Sequence, residues 1–180
     1  MTETNCDVYY QKRSKNLIYS LNNGYIARLK LNGEIIDKDI HKTLKEIDHD
    51  GDRFSSFYFE YDDNSPEFIN QTKREELMCF FDTDDFSHIV IYKRLNSVDT
   101  RQLTKIQYRY LRDSLVVLHK NKIIHGDLPD NVMIDPDDQM PRIIGWKHSK
   151  KYDKCDHYDD MMTGIEIDMN AFFTHYKVGK

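Results

Sequence analysis

The sequence predicts an α+β protein whose first half is rich in β-strands and whose second half is mainly helical. Short apolar runs separated by Asn-Gly turns mark the first half, and one long apolar helical face marks the second. A chain of 180 residues fits one domain, or a small lobe joined to a larger one, and it is long enough to bury a core.

The first half begins with a predicted β-hairpin. Residues 17–21 form a β-like apolar run, Asn22-Asn23-Gly24 has strong turn chemistry, and residues 25–31 alternate apolar with polar side chains. The apolar run at residues 87–92 predicts another strand. The aromatic-rich residues 54–61 suit a strand or a packed extended segment.

Two helices are predicted within the same half. Asp39 is a suitable N-cap, and Ile40, Leu44 and Ile47 follow it at helical spacing. Residues 65–81 are also predicted to be helical, because Pro66 and Glu67 lie at the start of the segment and Glu75 and Glu76 follow within it.

A long amphipathic helix in the second half leads directly into a loop at His125. Its predicted apolar face consists of Leu103, Ile106, Tyr110, Leu111, Leu115 and Leu118. Beyond the loop, residues 132–134 and 142–144 are short apolar runs separated by turn residues, which predicts a second hairpin. A final amphipathic stretch covers residues 165–176.

Charge, hydropathy and cysteine spacing limit the classes of function. Asp and Glu outnumber Lys and Arg by 31 to 26, and the net charge of −5 argues against a nucleic-acid partner. No apolar run approaches the roughly 20 residues that span a bilayer, and the polar start lacks a signal-peptide core. We therefore expect no membrane partner and a cytoplasmic location. Cys6, Cys79 and Cys155 have no disulfide or zinc spacing, which indicates reduced thiols.

The most informative stretch is His125-Gly126-Asp127-Leu128-Pro129-Asp130-Asn131, followed by a hairpin that ends at Gly145-Trp146. Together with the order of strands, connecting segment, long helix, loop and hairpin, this stretch resembles the protein kinases and their aminoglycoside-phosphotransferase-like relatives. The likeness is strongest over residues 100–146.

The resemblance implies a truncated bilobal fold of the protein-kinase-like kind. In this fold residues 1–16 would be an N-terminal tail, residues 17–95 a small β-rich N-lobe, and residues 96–180 a short, mainly helical C-lobe. Residues 42–48 also resemble stretches in kinase-like proteins of large DNA viruses, and a viral origin would make the location the host cytoplasm.

An ATP- and magnesium-dependent phosphotransfer site is what the resemblance implies for function. Asp127 stands where the family has its catalytic base, and Asn131 where it has a metal-binding asparagine. Arg28, with Lys30 as an alternative, replaces the phosphate-binding lysine of the third strand. Tyr92 begins the segment that would bind the adenine ring.

Structural roles are also implied by the resemblance. His125 would brace the loop through hydrogen bonds, and Asp168 would anchor it from a terminal helix. Trp146 is expected to pack in the core. Glu46 is one candidate for the helix glutamate that pairs with the strand lysine, and Glu75 and Glu76 compete for this role.

Several departures from the family pattern predict impaired catalysis. Gly145 stands where the second metal-binding aspartate is expected, and glycine offers magnesium no side-chain ligand. Three residues separate Asp127 from Asn131, whereas the family usually has four. Arg28 carries a planar fork in place of a compact ammonium, and no Gly-x-Gly-x-x-Gly motif precedes its strand.

These observations favour a catalytically impaired pseudokinase that binds a protein partner or, weakly, a nucleotide. One alternative is an active atypical serine/threonine kinase or small-molecule phosphotransferase that uses Asp127 and Asn131 with a replacement carboxylate, Asp130 or Asp135. Another is an interaction protein unrelated to kinases, whose likeness to the family is accidental.

Two further features were weighed for ligand or partner binding. Residues 48–52 begin like a calcium-binding loop, but the glycine falls two places early, so no calcium site is predicted. A lysine cluster follows Trp146, and it is either a solvated face or a docking site for an acidic partner. Its members are Lys147, Lys150, Lys151 and Lys154.

Overall fold

The computed structural model describes residues 8–10, 17–20, 25–31, 38–54, 57–59, 86–93, 95, 102–152 and 157–179. This described part is α+β, as the sequence predicts, with three helices and short strands. Contacts within the chain divide it into two compact units. The first comprises residues 1–36 and 56–94, and the second comprises residues 37–55 and 95–180.

The first unit is built on a five-stranded antiparallel sheet. In pairing order its strands are β1 (Val8–Tyr10), β2 (Leu17–Ser20), β3 (Tyr25–Leu31), β5 (Phe86–Lys93) and β4 (Phe57–Phe59). β2 and β3 form the predicted hairpin, and β5 confirms the strand predicted at residues 87–92. β1 lies within the stretch that we expected to be an N-terminal tail.

Helix α1 (Lys38–Ile47) begins the second unit, and its apolar spacing is explained by burial of Ile40 and Leu44. We expected this helix within the lobe of residues 17–95, whereas the structure groups residues 37–55 with residues 95–180. After the helix, the carboxylate of Asp48 accepts hydrogen bonds from three backbone N–H groups. These belong to Asp52 (3.1 Å), Arg53 (2.8 Å) and Phe54 (2.7 Å).

Helix α2 (Lys105–Lys120) is the long predicted helix. Thr104 caps its first turn reciprocally, since its hydroxyl accepts from the Gln107 backbone N–H and its own N–H donates to the Gln107 side chain. Leu103, which we counted in this helix, lies just before it in a short strand. Leu111, Leu115 and Leu118 of the predicted apolar face are fully buried, whereas Ile106, which we also counted in this face, is 72% exposed.

Six short strands and a terminal helix complete the second unit. They are β6 (Gln102–Leu103), β7 (Ile123–Ile124), β8 (Val132–Ile134), β9 (Pro141–Ile143), β10 (Lys150–Lys151), α3 (Tyr158–His175) and β11 (Lys177–Val178). β8 and β9 are the predicted hairpin. β7 pairs with β10 antiparallel, and β6 pairs with β11 in parallel. α3 begins earlier than the amphipathic stretch predicted at residues 165–176.

One apolar core joins the elements of the second unit, and it includes Trp146, as predicted. The indole packs edge-on against His125 and Phe54, with ring centroids 5.1 and 5.7 Å away. The helix predicted at residues 65–81, with Glu75 and Glu76, lies outside the described residues. Among the described helices, none combines the length and the apolar character that crossing a membrane requires.

Candidate functional site

The loop that carries Asp127 lies between β7 and β8 in the second unit. His125 at its start is fully buried, whereas Asp127 is exposed. Contacts from several elements hold the backbone of the loop between these two residues. The loop therefore presents its carboxylate on a fixed support.

Asp168 of α3 anchors the start of this loop, which confirms the role predicted for it. Its Oδ2 accepts a hydrogen bond from the His125 backbone N–H at 2.8 Å, and its Oδ1 accepts one from the Gly126 N–H at 2.9 Å. The His119 Nε2 atom lies 3.0 Å from Oδ2. The Asp168 side chain is only 1% exposed, so these partners replace the water it has lost.

The pKa of Asp168 follows from these contacts. Burial alone would raise the pKa of this carboxyl, but the hydrogen bonds from His119 and from the Gly126 and His125 amides outweigh it. The pKa therefore lies below its ordinary value, and Asp168 remains a carboxylate.

His125 braces the loop from inside, as predicted. Its Nε2 lies 2.7 Å from the Ile144 carbonyl oxygen, and its Nδ1 lies 3.2 Å from the Asp127 backbone nitrogen. A neutral ring that donates from Nε2 and accepts at Nδ1 satisfies both contacts. Burial lowers the pKa of His125, against the opposing effects of the Ile144 carbonyl and the Asp168 and Asp127 carboxylates.

Two hydroxyl groups complete the support of the loop. The buried Tyr176 hydroxyl points at the carbonyl oxygens of Leu128 (3.0 Å) and Pro129 (2.8 Å). The Ser149 hydroxyl donates to the His125 carbonyl at 3.1 Å. Neither contact was predicted, because hydroxyl groups so far along the chain from the loop give no local signal in the sequence.

The three central site residues, Asp127, Asn131 and Gly145, lie together. The Asn131 Nδ2 donates to the Asp127 main-chain carbonyl at 2.6 Å and lies 3.2 Å from its carboxylate oxygen Oδ2. The Asn131 carbonyl accepts from the Ile144 N–H at 2.9 Å, which holds the end of the hairpin beside the loop. The short spacing between Asp127 and Asn131 thus folds the amide back onto the aspartate.

The space beside Gly145 is filled. Its φ is +79°, and a Cβ at this position would overlap the Oδ1 and Cγ atoms of Asn131. A side chain here would therefore be strained in the left-handed region and would also displace Asn131.

The residues present do not fit a magnesium ion. Magnesium prefers several oxygen ligands in near-octahedral geometry, usually with carboxylates among them. This site offers the Asn131 Oδ1 and the Asp127 carboxylate, and Gly145 adds no side-chain oxygen. Across the described ranges, no group of three or more His, Cys, Asp or Glu side chains is placed to share a metal ion.

The two candidate replacement carboxylates differ sharply in environment. Asp130 is exposed in the loop. Asp135 is only 1% exposed and lies 3.2 Å from Arg142, whose guanidinium is also within salt-bridge distance of Asp138. Because Asp135 is buried in an ion pair with Arg142, its carboxylate is poorly placed to bind a metal ion.

Three other predicted site residues belong to the first unit. Arg28 and Lys30 lie on β3, and Tyr92 lies on the neighbouring strand β5. The register places Ile26 opposite Tyr92. A joint action of Arg28, Lys30 and Tyr92 with Asp127 stays a prediction. Glu46 is exposed on α1, and its pairing with a strand lysine also stays a prediction.

Buried His125 predicts a pH dependence of stability. Its pKa is lower in the folded protein than the ordinary value of about 6.5, so the unfolded chain takes up a proton first as the pH falls. The free energy of unfolding should be highest above about pH 6.5 and decline below it. Denaturant unfolding over this range tests the expectation, and His125→Asn should flatten the profile. An unchanged profile in the variant would contradict this role.

No protein-family model and no curated protein sequence matches the chain.

Proposed function

We propose that the protein has a truncated, kinase-like bilobal fold with a degenerate phosphotransfer site, and that it acts in the cytoplasm by binding a protein partner or, weakly, a nucleotide. The arrangement of Asp127, Asn131 and Gly145 carries the proposal. An exposed carboxylate is held on a well-supported loop, while the position of the second metal ligand holds a glycine against which Asn131 is packed.

Support for the kinase-like fold comes from the order of elements. An antiparallel sheet, a long helix, the His125 loop and a β-hairpin follow one another along the chain, as the resemblance requires. The hydrogen bonds of Asp168 to the loop amides add support, because this anchoring role was expected from the same resemblance.

The chemistry of the site favours binding over turnover. Asp127 could orient a hydroxyl group and accept its proton, which is the part of phosphoryl transfer that a carboxylate performs. The phosphoryl group also needs its negative charge neutralised, and Gly145 contributes no carboxylate that would hold magnesium there. The net charge of −5 favours a protein over a nucleic acid as partner.

Exposure of Asp130 supports one alternative, an active atypical kinase or small-molecule phosphotransferase that uses Asp130 as the replacement carboxylate. The buried ion pair of Asp135 with Arg142 argues against Asp135 in this role. The remaining alternative, an interaction protein unrelated to kinases, also stays a prediction.

Nucleotide titration with magnesium and with a chelator tests the proposal. We expect ATP affinity to be weak and to change by less than about threefold between the two conditions, because no metal bridges nucleotide and protein. The Asn131→Ala variant should behave the same way. Tight binding that requires magnesium and is lost in Asn131→Ala would support the atypical kinase instead.

A further inference from the structure

Basic side chains line the segment directly beside the Asp127 loop. Lys122, Lys147, His148 and Lys150, here named the basic edge, are all exposed. Within the described part of the chain, none of the three lysines forms an ion pair with a carboxylate. Like charges held close together repel, so the basic edge favours a ligand of opposite charge.

The backbone fixes the basic edge in place. β10 pairs with β7, which sets Lys150 opposite Ile124, the residue before His125. The Tyr152 N–H donates to the Lys122 carbonyl at 3.0 Å, so Lys122 joins the same ladder. These hydrogen bonds fix the backbone that carries Lys122 and Lys150, so no backbone ordering is required there when a ligand binds.

A close backbone approach brings the basic edge against the loop itself. Gly126 has a φ of +77°, and a Cβ there would lie 2.8 Å from the His148 carbonyl oxygen. The Ser149 hydroxyl donates to the His125 carbonyl. Asp127 is exposed and follows Gly126 directly in the chain, so its backbone adjoins the backbone of the basic edge.

We propose that the basic edge docks an acidic peptide segment of a protein partner beside Asp127. Glutamate and aspartate side chains of the segment would face the lysines, and an adjacent hydroxyl or N–H group could donate to Asp127. A nucleic acid is a poorer occupant, because sequence-independent binding to nucleic acid depends on many lysine and arginine contacts with phosphates. The chain's charge of −5 also opposes a long polyanion.

This inference rests on the protein-binding half of the proposed function and names the chemistry of the partner. It does not depend on nucleotide or on phosphotransfer. Rapid phosphotransfer would overturn the proposed function. It would leave the peptide-binding measurement unaffected, because that measurement is performed without nucleotide.

The test uses a fluorescent oligo-glutamate peptide and the full chain at low ionic strength, followed by fluorescence anisotropy. We expect saturable binding that weakens with added salt, because exposed charges are screened. Each exposed ion pair contributes about two- to fivefold in affinity, so the double variant Lys147→Glu/Lys150→Glu should bind about tenfold or more weakly.

Lys105→Glu/Arg109→Glu is the matched control, since both residues are exposed and the variant changes the net charge equally. They lie at the opposite end of α2 from Lys122. The control should weaken binding by less than about twofold. Circular dichroism and thermal unfolding verify that both variants fold. Absence of peptide binding, equal losses in the two variants, or tighter binding of an oligonucleotide of matched charge would each overturn the proposal.

Discussion

Replacing Asp168 with alanine is expected to lower the free energy of unfolding by about 3–5 kcal/mol. The carboxylate is buried and accepts hydrogen bonds from the His125 and Gly126 amides and from His119. Alanine would leave these donors without their acceptor where little water reaches. Chemical denaturation followed by circular dichroism measures the loss.

Glu166→Ala is the control for Asp168→Ala, because Glu166 is exposed on the same helix. Its effect should stay within about 0.5 kcal/mol. The loss of stability in Asp168→Asn should fall between those of Glu166→Ala and Asp168→Ala, since the asparagine amide keeps one acceptor oxygen. A loss below about 1 kcal/mol in Asp168→Ala would contradict the anchoring role.

Acid titration offers a second readout for Asp168. Its pKa in the folded protein lies below that of the unfolded chain, so the stability that it contributes is complete above about pH 4. That contribution is lost as the pH falls through the folded-state pKa. The difference in stability between the unmodified protein and Asp168→Asn should therefore shrink in acid.

Gly145→Ala is expected to have the second large effect, a loss of about 2–3 kcal/mol. The left-handed conformation at this residue costs a side chain about 1–2 kcal/mol. The added Cβ would also force Asn131 away from Asp127 and break its hydrogen bonds, at a cost of about 1 kcal/mol. Thermal or denaturant unfolding measures the sum.

Two variants separate these contributions. Gly179→Ala is the control for a glycine that can accept a side chain, since the nearest atom to a Cβ there is at the ordinary contact distance of 3.8 Å. In an Asn131→Ala background, Gly145→Ala should cost only the conformational part. Equal costs in both backgrounds would show that Asn131 does not crowd this position.

The crowding of residue 145 by Asn131 also affects a variant that places a carboxylate at this position. Gly145→Asp supplies a carboxylate, but its side chain must enter space that Asn131 occupies. We expect this variant to be destabilised and to remain without magnesium-dependent phosphotransfer. Strong activation would show that the Asn131 side chain moves aside at little cost and that the glycine alone blocks catalysis.

Much of the fold could be predicted because it depends on local pattern. The β2–β3 and β8–β9 hairpins follow from turn residues between apolar runs, and helices α1 and α2 follow from apolar spacing. The anchoring by Asp168 was predicted only through the family resemblance, since residues 125 and 168 are far apart in sequence.

The contacts that were not predicted are long-range and polar. Arg142 looks like one residue of a strand, yet its guanidinium is buried and forms ion pairs with buried Asp135 and with exposed Asp138. Tyr176 reads as part of an amphipathic helix, yet its hydroxyl contacts the loop at Leu128. Asn131 was expected as a metal ligand, and only the folded backbone reveals its contacts with Asp127 and Gly145.

We propose that the site does not support phosphotransfer, and turnover tests this proposal most directly. The measurement is transfer from γ-labelled ATP, with magnesium, to the chain itself and to generic protein substrates. Asp127→Asn provides the background. We predict that the unmodified protein and the variant give the same background signal. Robust magnesium-dependent turnover that Asp127→Asn abolishes would contradict the claim.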